Sequence, residues 1–319
     1  MSTAASAAAF TVVGEAVVDL VEDGDGRFTA HPGGSPLNVA VALARLGHPT
    51  ALLARLSTGG FGRRLREHAA ANGVALDRAP AAPEPATLAA VTLDGHGAAT
   101  YDFYTAGTAD WQWTDAELAA LPAGTRVVHT GSLATAVAPG AVRILALVER
   151  LRRAGGTLLS YDPNVRAGLV GDLDAARAGA ERFVAAAHVV KASEDDVRLL
   201  YPGSDPVDVL QRWRGLGASL AVLTRGAAGA VAVAAGGVVR EPGRSVAVVD
   251  TIGAGDAFTG GMLSALADAG LATPATVAGL SAGQAADVLA GAGRVAAITC
   301  TRAGADPPDR AALRAFSSG

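Results

Sequence analysis

The sequence predicts an α/β protein: three α/β/α layers built on a mainly parallel central sheet, with a small antiparallel β subsheet beside it. Three observations lead there. Short apolar, β-branched runs alternate with Ala/Leu-rich runs of helical length along most of the 319 residues, the pattern of repeated βαβ units. Glycines stand where strands hand over to helices, at Gly33-Gly34 and at Gly253-Ala254-Gly255. Between about 87 and 104 the alternation breaks: Thr87–Leu93 and Ala99–Tyr104 flank Asp94-Gly95-His96-Gly97, a hairpin signal.

Taken in order, Phe10–Val18 reads as a buried first strand ending in Asp19, where α/β sheets present ligand-binding groups. Glu22-Asp23-Gly24-Asp25-Gly26 reads as a turn between short β-prone pieces. Ser35 is the expected N-cap and Pro36 the first residue of a helix running to Leu46 and stopping at Gly47. Asn38, one turn in, is either a polyol ligand or a solvated side chain. Thr50–Leu56 is a second strand, Phe61–Asn72 a helix closed by Gly73, and Pro80–Pro85 a connector. The later hairpin and the 20–31 segment together form the subsheet, with Phe103 and Tyr104 facing a ligand or simply packing.

From Val127 the alternation resumes, with strands at Val127–Thr130, Thr157–Tyr161, Val189–Ala192 and Leu220–Thr224. Helices are expected at Pro139–Ala154, Leu173–Ala187 and Pro206–Leu216. Asp162-Pro163-Asn164-Val165-Arg166 ends one strand, where Asn and Arg can hold a hydroxyl or a phosphate. Glu194-Asp195-Asp196 ends another: these acids either bear on Mg²⁺, which prefers oxygen ligands, or simply complement a helix N-terminus. Arg225-Gly226-Ala227-Ala228-Gly229 is a glycine turn, followed by a β pair at Ala230–Ala234 and Val238–Glu241.

The chain is organised around Asp250-Thr251-Ile252-Gly253-Ala254-Gly255-Asp256-Ala257-Phe258, with Val246–Val249 expected as a strand before it and Ala257–Ala269 as a helix after it. Small residues at a helix N-terminus let backbone N–H groups converge on an anion. Asp256 in the first turn then suits a base that takes a proton from a hydroxyl attacking a phosphoryl group. The same letters also describe a glycine-rich turn capped by an aspartate.

Composition narrows the classes. The net charge is −4, with acids and bases interspersed, so no nucleic-acid surface is expected. The one cysteine, Cys300, excludes an internal disulfide or a cysteine metal cluster. Met1–Ala9 lacks a basic region and reads as a tail rather than a signal peptide. No run reaches the roughly 18 apolar residues of a membrane span; the location expected from the cysteine usage is cytoplasmic. Lys191 is the only lysine and follows no G-x-x-x-x-G, which excludes a Walker P-loop and the protein-kinase lysine. Neither G-x-G-x-x-G nor H-E-x-x-H occurs. Nucleotide chemistry, if present, must use backbone amides and arginine.

With these patterns in order, the chain resembles the ribokinase-like (PfkB) carbohydrate kinases over essentially its full length. The resemblance rests on Asp250-Thr251-x-Gly253-Ala254-Gly255-Asp256-Ala257-Phe258 and Gly33-Gly34-x-x-x-Asn38-x-Ala40. Gly14-Glu15 with Asp19, Tyr101-x-Phe103-Tyr104, Ala109-Asp110 and Asp162-Pro163-Asn164-x-Arg166 look most like the fructokinases, and 2-keto-3-deoxygluconate kinases share parts of this. The resemblance implies one ribokinase-like kinase domain over 1–319, with a lid from about 20–32 and 86–110. It implies an ATP-dependent transfer of the γ-phosphoryl group to a primary sugar hydroxyl, fructose favoured, with ribose, a nucleoside or 2-keto-3-deoxygluconate as alternatives.

It also implies roles. Asp256 is the base, and the amides of Gly253, Ala254 and Gly255 form the anion hole. Asp19, Gly34 and Asn38 hold sugar hydroxyls, Gly33 shapes the approach, Phe103 packs on the sugar and Arg166 reaches the substrate side of the phosphates. Thr224 and Gly226 meet the nucleotide phosphates together with Gly253 and Gly255. Lys191-x-x-Glu194 replaces the family's N-x-x-E, with Glu194 organising Mg²⁺ through water. Asp250, the Ile252 carbonyl and the Cys300–Ala305 loop resemble a K⁺ site, and the lid offers a homodimer surface. Three departures from the family stand out: Gly60 and Gly293 replace polar residues, and Thr105-Ala106 follow Tyr104 where fructokinases often have an arginine.

Overall fold

Alternation of apolar residues along each strand decides which side chains face which helix layer, and here both faces of the main sheet are covered. The computed structural model describes residues 9–22, 25–93, 99–119 and 121–316. The first eight residues, the centre of the Glu22–Gly26 turn and the Asp94–Gly97 turn lie outside them.

The chain runs β1 (Phe10–Val13), β2 (Val17–Glu22), β3 (Phe28–Gly33), α1 (Ser35–Arg45), β4 (Thr50–Leu53), β5 (Leu56–Ser57) and α2 (Gly60–Ala71). Next come β6 (Ala81–Ala82), β7 (Leu88–Leu93), β8 (Ala99–Tyr104), β9 (Val127–Gly131), α3 (Gly140–Ala154), β10 (Leu158–Asp162) and α4 (Leu173–Ala186). The second half holds β11 (Val189–Ser193), α5 (Glu194–Leu200), α6 (Pro206–Leu216), β12 (Leu220–Thr224), β13 (Ala230–Ala234) and β14 (Gly237–Glu241). It ends with α7 (Ala254–Asp268), α8 (Pro274–Ala278), α9 (Ala282–Cys300) and α10 (Arg310–Phe316).

The main sheet has the order β14-β13-β12-β11-β10-β9-β1-β4. It is parallel from β4 to β12, with β13 and β14 antiparallel at one edge. Val12, Val127, Leu158 and Val189 face α1, α7 and α9, while Val13, Val128, Leu159 and Val190 face α3, α4 and α6. This is the expected three-layer arrangement. The second sheet has the order β3-β2-β7-β8. Both of its hairpins are antiparallel, and a parallel β2–β7 pairing joins them.

Glycines let α7 sit deep in its layer. A Cβ at Gly260 would lie 2.6 Å from Ala42 Cβ, and one at Gly261 2.9 Å from Val295 Cβ. Ala-sized or larger side chains at these points would push α7 off α1 and α9. That displacement would carry the helix N-terminus, and with it Asp256, out of register.

Four local expectations need correction. Phe10–Val18 is two strands, because the chain leaves the main sheet at Gly14, where a Cβ would lie 2.5 Å from Pro36 Cγ. Asp19 therefore stands within β2 of the small sheet, not at the end of a main-sheet strand. Thr50–Leu56 likewise ends at Leu53, and Leu56–Ser57 pairs with β6 instead. Val246–Val249 forms no strand despite its β-branched residues; the N–H groups of Val249 and Asp250 go to the Cys300 carbonyl at the end of α9. Ser35 is the first residue of α1 rather than its cap, which is Gly34 at φ 101°; this frees the Ser35 hydroxyl for another partner.

Candidate active site

The site lies at the carboxyl ends of the parallel strands, where α7 begins. Gly253 caps α7 in the left-handed conformation, φ 72°, which suits glycine. Helix geometry leaves the first N–H groups of α7 without an i−4 partner. Ala254 directs its own to the Thr251 carbonyl at 3.2 Å.

Asp256 follows within the first turn, 8% exposed. Its carboxylate accepts from Ser35 Oγ at 2.6 Å and from Asn38 Nδ2 at 2.8 Å, both on α1. Burial pushes its pKa up, while the two hydrogen bonds and the nearby Lys191 charge pull it back. Beneath Gly255 lies the Lys191 ammonium, 4% exposed and paired at 2.9 Å with the fully buried Asp162. Burial alone would lower the lysine's pKa, but Asp162, Asp196 and Asp256 outweigh it and keep the ammonium charged.

Two cavities meet here. One, of about 310 Å³, is lined by Asp19, Gly34, Asn38, Phe103, Arg166 and Asp256 among others. The other, of about 430 Å³, is largely apolar, with Val246, Val248, Phe258 and Leu289 beside Thr224 and Gly226. Thr251 and Gly255 line both. The exposed β-branched run before the motif thus forms a wall of the apolar cavity.

Sequence-predicted residues divide accordingly. Asp19, Gly34, Asn38, Phe103, Arg166, Gly253, Gly255 and Asp256 line the polar cavity, and Thr224, Gly226, Ala254 and Gly255 line the apolar one. Burial raises the Asp19 pKa to about 6, against the opposing charge of Arg166. Gly33 ends β3 under Asp19: a Cβ there would lie 2.2 Å from Asp19 Oδ2. Asp250 accepts from Ile252 N at 2.9 Å and from Gly304 N at 2.8 Å, so it ties the motif to the 300–305 loop. Glu194 opens α5 and lines neither cavity; its carboxylate lies 3.5 Å from Arg198. Of its acidic neighbours, Asp195 pairs with Arg198, and Asp196 completes a capping box with Ser193 and accepts from Val165 N. Gly293 lines the apolar cavity, and Gly60 opens α2.

Sequence reasoning missed the Ser35–Asp256 bond and the Lys191–Asp162 pair, and it quoted Glu15 only within the Gly14-Glu15 motif, with no role, although Glu15 lines the polar cavity. A lone acid inside the apolar Phe10–Val18 run was the available signal for Glu15. Gly279-Leu280-Ser281-Ala282-Gly283 spells G-x-S-x-G, but Ser281 is an N-cap bonded to Gln284, with no strand before it, unlike a nucleophile elbow.

A buried carboxylate on the polar side of two adjoining cavities, at a helix N-terminus, fits a phosphotransferase site. The chain belongs to the PfkB family: the description "pfkB family carbohydrate kinase" matches residues 8–312. The fructokinase of Klebsiella pneumoniae is 37% identical over 263 residues, covering 82% of this chain and 85% of that protein. The fructokinase of Vibrio cholerae O395, solved with fructose, ADP and calcium ion, superposes with a TM-score of 0.84 at 31% identity, covering 98% of this chain and 99% of that one. The aminoimidazole riboside kinase of Salmonella enterica, solved with aminoimidazole riboside and an ATP analogue, gives 0.80 at 28% identity, covering 96% and 99%.

Proposed function

We propose that this chain is an ATP-dependent fructokinase, transferring the γ-phosphoryl group to a primary hydroxyl of D-fructose. The observation that carries it is the meeting of the two cavities at Thr251 and Gly255, with Asp256 on the polar side. The polar cavity takes the sugar, and the apolar one takes the base and ribose of ATP.

Asp256 accepts the proton of the attacking hydroxyl, ionised by the donors Ser35 and Asn38 and by Lys191. The amides of Gly253, Ala254 and Gly255 face the transferring phosphoryl group; Ala254 gives up its 3.2 Å turn contact to do so. Asp19, Gly34 and Asn38 bind sugar hydroxyls, Gly33 leaves room for Asp19, Phe103 covers the ring, and Arg166 faces the phosphate side. Thr224 and Gly226 meet the nucleotide phosphates. The small sheet acts as a lid, about 20–32 and 86–110, that shuts water out of a single catalytic domain.

Among the described residues no group of three His, Cys, Asp or Glu side chains is arranged to hold a metal. That fits a Mg²⁺ carried mainly by phosphates and water, with Glu194 reaching it through water; when bound, it neutralises phosphate charge. Asp250, which joins the motif to the 300–305 loop, and the Ile252 carbonyl would hold K⁺. Phe28 and Tyr104, both exposed on the small sheet, mark the surface for a homodimer. No helix among the described residues is long and apolar enough to cross a membrane, and use of ATP keeps a cytoplasmic location part of this reading.

The test is a coupled ADP-release assay over fructose, 2-keto-3-deoxygluconate, ribose and a nucleoside. The highest kcat/KM is expected on fructose. A tenfold preference for another acceptor would reassign the substrate, and sugar-induced thermal stabilisation without ADP release would replace the enzyme with a sensor.

A further inference from the structure

The polar cavity is built from two bodies. Ser35, Asn38, Lys191 and Asp256 belong to the main sheet and its helices, whereas Val17 and Asp19 on β2 and Phe103 on β8 belong to the small sheet. Among the described residues, none of the apolar cavity's lining comes from β2, β3, β7 or β8. Whatever sets the small sheet relative to the body therefore sets the sugar side alone.

One side chain sits where the chain crosses between the two bodies. Asp110, 1% exposed, follows β8 in a 3-10 turn. Its Oδ1 accepts from Ala16 N at 2.9 Å, on the segment entering β2, and its Oδ2 accepts from Thr87 Oγ1 at 2.6 Å, on the segment entering β7. Thr87 Oγ1 also lies 2.6 Å from Thr108 Oγ1, on the segment leaving β8. The same turn is fastened to the body: Arg55, just past β4, donates to the Ala109 carbonyl at 2.9 Å and pairs with Glu117 at 3.1 Å. Next to Ala16, the buried Glu15 accepts from Ala134 N beyond β9 at 2.9 Å. Three of the four crossings thus converge on one carboxylate, which can accept from two donors on opposite sides as no neutral side chain of its size can.

We propose that Asp110 is a positioning residue for the sugar: it fixes the small sheet on the body and so sets Asp19 and Phe103 opposite Asp256. This rests on the kinase reading above. It touches no reacting atom. Its effect runs through β2 and β8, and misplacing a binding group by about an ångström costs on the order of 10²-fold.

The test compares Asp110→Ala, Asp110→Asn and Thr87→Val with the wild type, using fructose and ATP. Asp110→Ala leaves Ala16 N–H buried without an acceptor. The expected result is a rise of about tenfold or more in KM for fructose, with KM for ATP within about twofold. Asp110→Asn, with its oxygen toward Ala16 and its NH₂ donating to Thr87, restores most of the loss. Thr87→Val removes the ties to Asp110 and Thr108 at nearly constant volume, leaves the Asp110–Ala16 bond in place, and gives a rise of roughly severalfold, which keeps the test alive if Asp110→Ala does not fold. Hydrogen exchange supplies an arm that needs no turnover: amides of β2, β7 and β8 exchange faster in Asp110→Ala or Thr87→Val, while β9–β12 do not change. Equal rises in both KM values, unchanged fructose KM in both variants, or faster exchange spread equally through the main sheet would each overturn the proposal. If the wild type phosphorylates no sugar, the kinase reading falls, and the exchange comparison still decides whether Asp110 holds the small sheet.

Discussion

Replacing Asp256 by Asn separates the proposed base from the structure that holds it. Both carboxylate oxygens are engaged, one by Ser35 and one by Asn38. An amide can keep both contacts if its oxygen faces Asn38 Nδ2, a pure donor there, and its NH₂ faces Ser35, whose hydroxyl rotates to accept. The geometry survives and the proton acceptor is lost. General base catalysis contributes typically 10²–10⁴-fold, so kcat should fall by about a thousandfold, or ~4 kcal/mol of transition-state stabilisation at 1.36 kcal/mol per decade. Fructose KM should change little. Stability should not fall, because burial opposes ionisation of Asp256 and an amide carries no such cost, although it forfeits the roughly 0.3–1 kcal/mol that an acid gains at a helix N-terminus. Coupled ADP release measures the rate and a thermal melt with and without fructose checks the fold. A folded variant that keeps more than about a tenth of wild-type kcat would refute Asp256 as the base.

Ser35→Ala removes a hydrogen bond that holds the Asp256 pKa down; since the base works ionised, the acid limb of the kcat–pH profile should move to higher pH, and an unmoved limb would detach Ser35 from the base. Gly33→Ala places a Cβ 2.2 Å from Asp19 Oδ2 at ordinary backbone angles, so the carboxylate must move; fructose KM should rise by about tenfold with ATP KM unchanged, measured by steady-state kinetics. Burial raises the Glu15 pKa from 4.5 to about 8, so its neutral form favours the folded state. That contribution is complete below pH 4.5 and is lost as pH rises through about 8, on the order of 5 kcal/mol at 1.36 kcal/mol per pH unit. Glu15→Gln should therefore melt with a flatter dependence between pH 5 and 8 than the wild type, and parallel melting curves for the two proteins would contradict the burial argument.

Much of this was readable before any coordinates. The order of strands and helices follows from apolar period and turn residues, and most expected ranges differ from the observed ones by one or two residues. The Asp250–Phe258 stretch was readable because its parts are contiguous: capping glycine, helix start and acid fall within a single turn. The errors cluster where a local signal had a competing global use. Val246–Val249 has strand residues but its donors go to the end of α9. Ser35 has the look of a cap, yet its hydroxyl serves an acid 221 positions away. The run through Gly14 looked like one strand because nothing local shows that Pro36 crowds it.

By itself the sequence determined the layer architecture, the family motifs and the position of the acid proposed as the base, since these depend on short-range periodicity and on residues within a helical turn of one another. Tertiary structure decided which groups surround that base: Ser35 and Asn38 from α1, the Lys191–Asp162 pair across adjacent strands, and the convergence of three chain crossings on Asp110. Those contacts join residues far apart in the chain. Buried charges and donors must find partners when water is excluded, and only the packed fold determines which partners lie within reach.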